Sequence, residues 1–200
     1  ASVHNQTIVT VGDGLIHTDT RLVYEILRGQ LSQVQIAVPK SHQILDITAN
    51  TRLKSWKAEA GEQHQIVDIE LQSETESNLI LEVHTQRKET GMPFDTCGLN
   101  PDSETWGIHA LDAVRESGQL VIRHAADLTL TVNEQSGLIR VDAAALDTEL
   151  RGENALAFKF YSPRVRLLLQ AQPVEPRTTV VHHAEFVLTD EELRVQSALS

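Results

Sequence analysis

The sequence predicts an all-β protein, built from antiparallel β-sandwich-like modules with one or two short helices, on three observations. Apolar and polar side chains alternate with period two along nearly the whole chain, as pleated strands with one dry face require. The alternating segments recur roughly every ten residues, the spacing of sandwich or barrel strands, which leaves too little chain for helical crossovers and disfavours a parallel βαβ architecture. Glycine and proline fall between the segments, where strands turn or leave a sheet.

Taken in order, Ile16, Thr18, Thr20, Leu22, Tyr24 and Ile26 share one face of a long strand, and His17, Asp19, Arg21 and Glu25 share the other. Arg28 and Gly29 interrupt it. Ser32, Val34, Ile36 and Val38 then form the next face, which stops at Pro39 because proline has no N–H to give to a ladder. The same alternation returns at Val67 to Leu71, Leu79 to Val83, Leu120 to Ile122, Leu128 to Val132, Leu156 to Phe160, Val165 to Leu169, Val180 to Leu188 and Leu193 to Val195. Helix formers between cap-like residues occur twice, at His109 to Glu116 before Gly118 and at Asp142 to Leu150 before Gly152. Each predicts a helix of about two turns that needs tertiary support.

This punctuation divides the chain into a first β module at residues 1–88, an irregular linker at 89–106 and a second β module at 107–176. The linker is marked by Gly91, Pro93, Gly98 and Pro101, and the exit from the second module by Pro173 and Pro176. Residues 177–200 supply closing strands or the start of a next repeat, because Val187 to Arg194 echoes the hairpin-and-strand succession of Val11 to His17. If that echo is a repeat, the chain is a piece of a longer tandem array.

The composition, 40% hydrophobic and 22% charged over 200 residues, is that of a chain able to build a core. With 17 basic against 28 acidic residues the formal charge is −11, a field that repels phosphate backbones and argues against nucleic acid as a partner. No run of apolar residues exceeds four, against roughly 20 for a membrane-spanning helix, so no membrane span is expected. Ala1 to His4 has neither the basic nor the apolar region of a signal peptide. Cys97 stands alone, which excludes an internal disulfide and a multi-cysteine zinc site.

Several residue groups invite chemistry. His183 and Glu185, two apart on one strand, share a face and offer two ligands to a metal, but no third ligand is identifiable and no helical His-Glu-x-x-His pattern is present. Asp95, Asn100, Asp102, Ser103 and Glu104 offer oxygen ligands of the kind calcium takes, without EF-hand spacing; the plain alternative is a solvated linker. Trp106, with Trp56 and Tyr161, offers aromatic faces for sugar stacking, although Trp56, Phe158 and Phe160 are expected as core anchors. A Cys97–His109 pair is the one nucleophile–base combination to consider, since there is no Gly-x-Ser-x-Gly elbow. Acidic residues are too numerous for a glycosidase pair to be chosen. No phosphate-binding glycine loop is present, and no cofactor is implied. Asn5-Gln6-Thr7 fits a glycosylation sequon and is read as incidental.

From Arg28-Gly29 through Leu31, Val34, Ile36 and Val38-Pro39 to Ile44-Leu45-Asp46-Ile47, ahead of Trp56, the chain resembles the β-rich regions of large uncharacterised bacterial envelope and surface proteins. The likeness is best over residues 13–60. It implies an extracytoplasmic, periplasmic or cell-surface scaffold without catalysis and carries over no functional residues. The leading expectation is therefore a structural or interaction module of a larger protein, meeting protein partners or neighbouring modules through exposed strand edges such as Leu193 to Ser200. Its oligomeric state is left open. The alternatives are a carbohydrate- or calcium-dependent binding module using Trp106 and the acidic segment, and a metal-dependent hydrolase using His183 and Glu185.

Overall fold

Strand-period patterning accounts for nearly all regular structure in the computed structural model, which describes residues 1–12, 14–62, 64–88, 94–95, 107–152, 154–174, 182–188, 190 and 192–199. The first half holds β1 (Ser2–Val11), β2 (Leu15–Glu25), β3 (Leu31–Pro39), β4 (Gln43–Ala49), β5 (Leu53–Ala60), β6 (His64–Thr75), β7 (Leu79–Lys88) and β8 (Phe94–Asp95). The second holds β9 (His109–Ala110), β10 (Arg115–His124), β11 (Leu128–Ser136), β12 (Ile139–Val141), β13 (Ala155–Phe160), β14 (Arg166–Pro173), β15 (His182–Leu188) and β16 (Leu193–Leu199).

A seven-stranded sheet in the order β12-β13-β10-β1-β2-β7-β4 forms the body. Its inner face meets two smaller sheets, β5-β6-β3-β9 and β11-β14-β8. Against the four-stranded sheet it packs Leu22, Tyr24, Leu81 and Val83 onto Val34, Ile36, Val67 and Ile69. Against the three-stranded sheet it packs Val9, Ile16, Leu120 and Phe158 onto Leu167 and Leu169. Each fully buried aliphatic or aromatic side chain contributes about 1.5–3 kcal/mol, so these two cores supply the main drive to fold. β15 and β16 form a separate antiparallel hairpin.

Neighbours in the sheets are antiparallel with one exception among the described strands: β1 runs parallel to β10, paired from Ser2 opposite Arg115 to Val11 opposite His124. One continuous sheet thus joins strands from residues 1–88 to strands from 107–176. The close approach needs a glycine, since a Cβ on Gly118 would collide with the Asn5 carbonyl and the Phe160 ring.

Three local expectations are corrected. His109 to Glu116 is not a helix: His109 and Ala110 pair with Ala37 and Ile36 as β9, and Arg115 already opens β10. Asp142 to Leu150 is not a continuous helix but two 3-10 turns, Ala143–Ala145 and Thr148–Leu150. Asp147 between them is extended (φ −59°, ψ 145°), its carboxylate taken by side chains of the large sheet. Phe158 and Phe160 are buried as expected, but Trp56 is 41% exposed, because its strand β5 is the outer edge of the four-stranded sheet and almost every position on it faces solvent.

Candidate functional site

Inward-facing positions of the seven-stranded sheet are not uniformly apolar. Along β1 they read Val3, Asn5, Thr7, Val9 and Val11, and along β2 they read Ile16, Thr18, Thr20, Leu22 and Tyr24. The polar members align into a buried belt between the two cores. Glu116 anchors it: Oε1 lies 2.7 Å from His109 Nδ1 and accepts from Asn5 Nδ2 at 2.7 Å, while Oε2 accepts from the Ala110 N–H at 3.1 Å. Asn5 also donates to the Ile108 carbonyl, and Thr7 donates to Asn5 Oδ1 while facing the Thr20 hydroxyl at 3.0 Å. The belt resumes on β7, where Thr85 Oγ1 lies 2.9 Å from His42 Nδ1.

Burial sets the charge state of this belt. His42 is pushed down to about 3, first by loss of water and then by the nearby Arg87 guanidinium, and is neutral at ordinary pH. The Tyr24 hydroxyl is held far above its usual range, first by burial and then by the carboxylates of Glu116 and Asp112. His109 Nε2 and the Tyr24 hydroxyl are buried without hydrogen-bond partners. The His109–Glu116 pair has the composition of a general acid–base dyad, yet its side chains are only 3% and 2% exposed, out of reach of a substrate. Its work is to fasten sheets together. The buried Asn5 likewise leaves its sequon no role as a glycan acceptor.

The outer face of the same sheet is open and charged. Cross-strand register sets Gln6, Arg21 and Glu82 in one row and Ile8, Asp19 and His84 in the next. The Thr148–Leu150 turn overhangs these rows. Asp147 accepts from Gln6 and Gln119 at 2.5 and 3.0 Å, Leu150 is buried against Val121 and Ile8, and Glu149 receives Arg21 Nη1 at 2.7 Å. Between overhang and strands lies a groove of about 170 Å³, floored by Ile8 and Leu150 and rimmed by Asp19, Arg21, Glu82, His84 and Glu149. Asp19 Oδ1 lies 2.6 Å from His84 Nδ1, and Glu82 Oε1 lies 4.0 Å from Arg21 Nε.

Among known proteins, the architecture is shared with enzymes. An M1 zinc metallopeptidase from Deinococcus radiodurans, solved as a mutant with a Tyr-Ser-Ala substrate, superposes over 99% of this chain with a TM-score of 0.51 at 11% identity. Leukotriene A4 hydrolase from Saccharomyces cerevisiae superposes over 88% with a TM-score of 0.51 at 10% identity. The fold resembles part of the M1 metallopeptidase chain. This chain spans only 47% of the first enzyme and 30% of the second. No family model matches the sequence, and no curated protein matches it. The helical His-Glu-x-x-His signature of many zinc peptidases is absent from these 200 residues. Among the described residues, no three His, Cys, Asp or Glu side chains are placed to hold a metal ion.

Of the residues singled out in the sequence, His183 and Glu185 lie on β15 at alternate positions, opposite Ala198 and Gln196, with side chains outside those described. Asp95 lies on β8 opposite Leu168, its side chain also outside them. Cys97, Asn100, Asp102, Ser103, Glu104 and Trp106 lie outside the described residues altogether. His109 is committed to Glu116. Sequence reasoning missed the groove, although one signal for it was present: the outward positions of β2 and β7 carry Asp19, Arg21, Glu82 and His84 in succession.

Proposed function

We propose that this chain is a non-catalytic β module of a larger extracytoplasmic protein, acting through contacts with protein partners or neighbouring modules. The observation that carries this reading is the location of the His109–Glu116 pair. The buried acid–base pair among the described residues is sealed between sheets and spent on holding β9 to β10, while the other close pair, Asp19 with His84 at 2.6 Å, lies half exposed on the open face of the sheet. What faces solvent instead is a charged groove on the seven-stranded sheet. The extracytoplasmic setting rests on the resemblance of residues 13–60 to envelope proteins, and the tandem-array organisation on the echo of Val11 to His17 at Val187 to Arg194.

A second reading is favoured by the fold likeness: the chain is the β-rich portion of a metal-dependent peptidase whose zinc-binding residues lie outside this sequence. Metal analysis and peptidase assays on the purified 200-residue chain separate either reading from catalysis by the chain itself. The expected result is no stoichiometric zinc and no chelator-sensitive hydrolysis of aminoacyl anilides. One zinc per chain together with such hydrolysis would overturn the non-catalytic assignment. A carbohydrate- or calcium-dependent module would show itself as a melting-temperature shift on adding calcium, which mass action requires of any ligand that binds only the folded state.

A further inference from the structure

We propose that β5 is a self-association edge, through which two copies of this chain join their four-stranded sheets in antiparallel register about a two-fold axis at Ala58. β5 ends its sheet, with β6 on one side and no other described strand on the other, and its residues from Lys54 to Ala60 are all exposed. The β5–β6 hairpin shows where its free hydrogen-bonding groups lie. The Gly61 N–H donates to the His64 carbonyl at 2.8 Å, which makes these facing residues a hydrogen-bonded pair. Counting back along the register, Glu59 opposite Ile66 and Lys57 opposite Asp68 are hydrogen-bonded pairs too. Trp56, Ala58 and Ala60 alternate with them, so their N–H and C=O groups turn away from β6 and are open to another strand.

Such an edge is a template, and its side chains decide which strand fits. A two-fold axis at Ala58 sets Ala58 against itself and Trp56 against Ala60 of the second copy, so all the open backbone groups find partners. The same axis sets Lys57 directly opposite Glu59 of the second copy, and Glu59 opposite its Lys57, at the positions where cross-strand side chains come closest. Neighbouring registers fail: an axis at Lys57 or at Glu59 brings like charges face to face, and one at Trp56 sets Lys57 against Ser55 with no charge partner. Lysine on an edge ordinarily discourages pairing, but Lys57 is balanced by Glu59 at 2.6 Å within the strand, and in the dimer the two pairs form an alternating quartet. Trp56, 41% exposed in the single chain, gains cover. This deepens the interaction reading by naming its partner, and a monomeric result would leave the zinc and hydrolysis tests of that reading untouched.

The test is sedimentation equilibrium of the intact chain from about 10 µM to about 1 mM, at about 0.15 M salt, where repulsion between two copies of charge −11 is screened beyond roughly 8 Å. One strand pair buries less than the roughly 1,200 Å² of a stable interface, so a reversible monomer–dimer equilibrium in the upper part of that range is expected. Lys57→Glu and Glu59→Lys should each weaken self-association roughly tenfold, because each sets like charges opposite one another twice. Mixed one to one, these two variants should associate as well as the parent, since an acidic strand then meets a basic one. Ala58→Pro removes an N–H that β6 does not use, so it should abolish the dimer while leaving the melting temperature of the monomer near that of the parent. A strict monomer at the highest concentration, single charge variants that associate like the parent, or a mixture no better than its components would each overturn the assignment.

Discussion

Glu116 holds His109 at 2.7 Å and, through its other oxygen, the backbone N–H of Ala110 at 3.1 Å, so a single carboxylate on the seven-stranded sheet pins the edge strand β9 of the facing sheet. The pair lies in the polar belt between two apolar cores, where a directional contact fixes the relation of the sheets more sharply than aliphatic packing does.

Replacing that carboxylate should be severe. Glu116→Ala strands the Asn5 amide, the Ala110 N–H and the His109 ring in a dry interior, and breaking a buried pair from one side costs about 3–5 kcal/mol. Urea denaturation should show a lower midpoint with an unchanged slope. Glu59→Ala, at an exposed pair with Lys57, should leave the midpoint where it was. Equal midpoints for the two variants would refute the pinning role.

A steric prediction concerns Gly118, where β1 and β10 run side by side. Its backbone is not in the left-handed region, so the restriction is purely space: a Cβ there meets the Asn5 carbonyl and the Phe160 ring. Gly118→Ala should therefore cost about 3 kcal/mol, at the upper end for overpacking. Gly29→Ala meets nothing within 4 Å but must hold φ at +84°, and should cost about 1–2 kcal/mol from backbone strain alone. Thermal melts of the two variants side by side check the order. A Gly118→Ala protein as stable as the parent would mean that the parallel seam is wider than described.

The sheets were legible where large apolar residues recur at alternate positions of one face. Ile16, Leu22 and Tyr24, and Val34, Ile36 and Val38, are buried as their alternation predicts, and β3 ends at Pro39. β1 was missed because its buried face includes Asn5 and Thr7, which read as solvent-facing until a partner such as Glu116, 111 residues away, is known. His109 to Glu116 failed for the same reason. Its helix-forming composition is local, whereas the strand pairing of Ala110 with Ile36 and the burial of Glu116 are long-range. The groove depends on register across three strands and an overhanging turn, none of which a periodicity reports.

His42 gives the protein an acid-sensitive joint. In the unfolded chain its ring protonates near 6.5, but in the folded protein only near 3, so the unfolded state binds more protons throughout the interval between. Stability must then rise with pH across that window, is fully present above about 6.5, and is lost as pH falls toward about 3. The slope contributed by this one residue approaches about 1.4 kcal/mol per pH unit. Urea midpoints between pH 4 and pH 8 should fall more gently with acid in His42→Asn than in the parent. Parallel curves would show that the ring does not titrate differently in the two states.

The continuity of the large sheet leads to a prediction about the two halves of the chain. Val9, Val11 and Ile16 belong to the core completed by Leu120, Phe158 and Leu167, while Ile108 and Ala110 close the core built by Leu22, Ile36 and Leu81. Each half therefore lends apolar surface to the other's core, and β1 satisfies the backbone groups along one edge of β10 over ten paired positions. Expressed as separate polypeptides, residues 1–88 and 89–200 should each lack cooperative unfolding, the second more severely because its sheet loses the neighbour of β10. Mixed together, they should co-elute as a one-to-one complex and recover the circular dichroism of the intact chain. A fragment 89–200 that melts cooperatively by itself would show that the parallel seam is a contact between independent units. The expected result would instead make that seam the place where the fold is assembled.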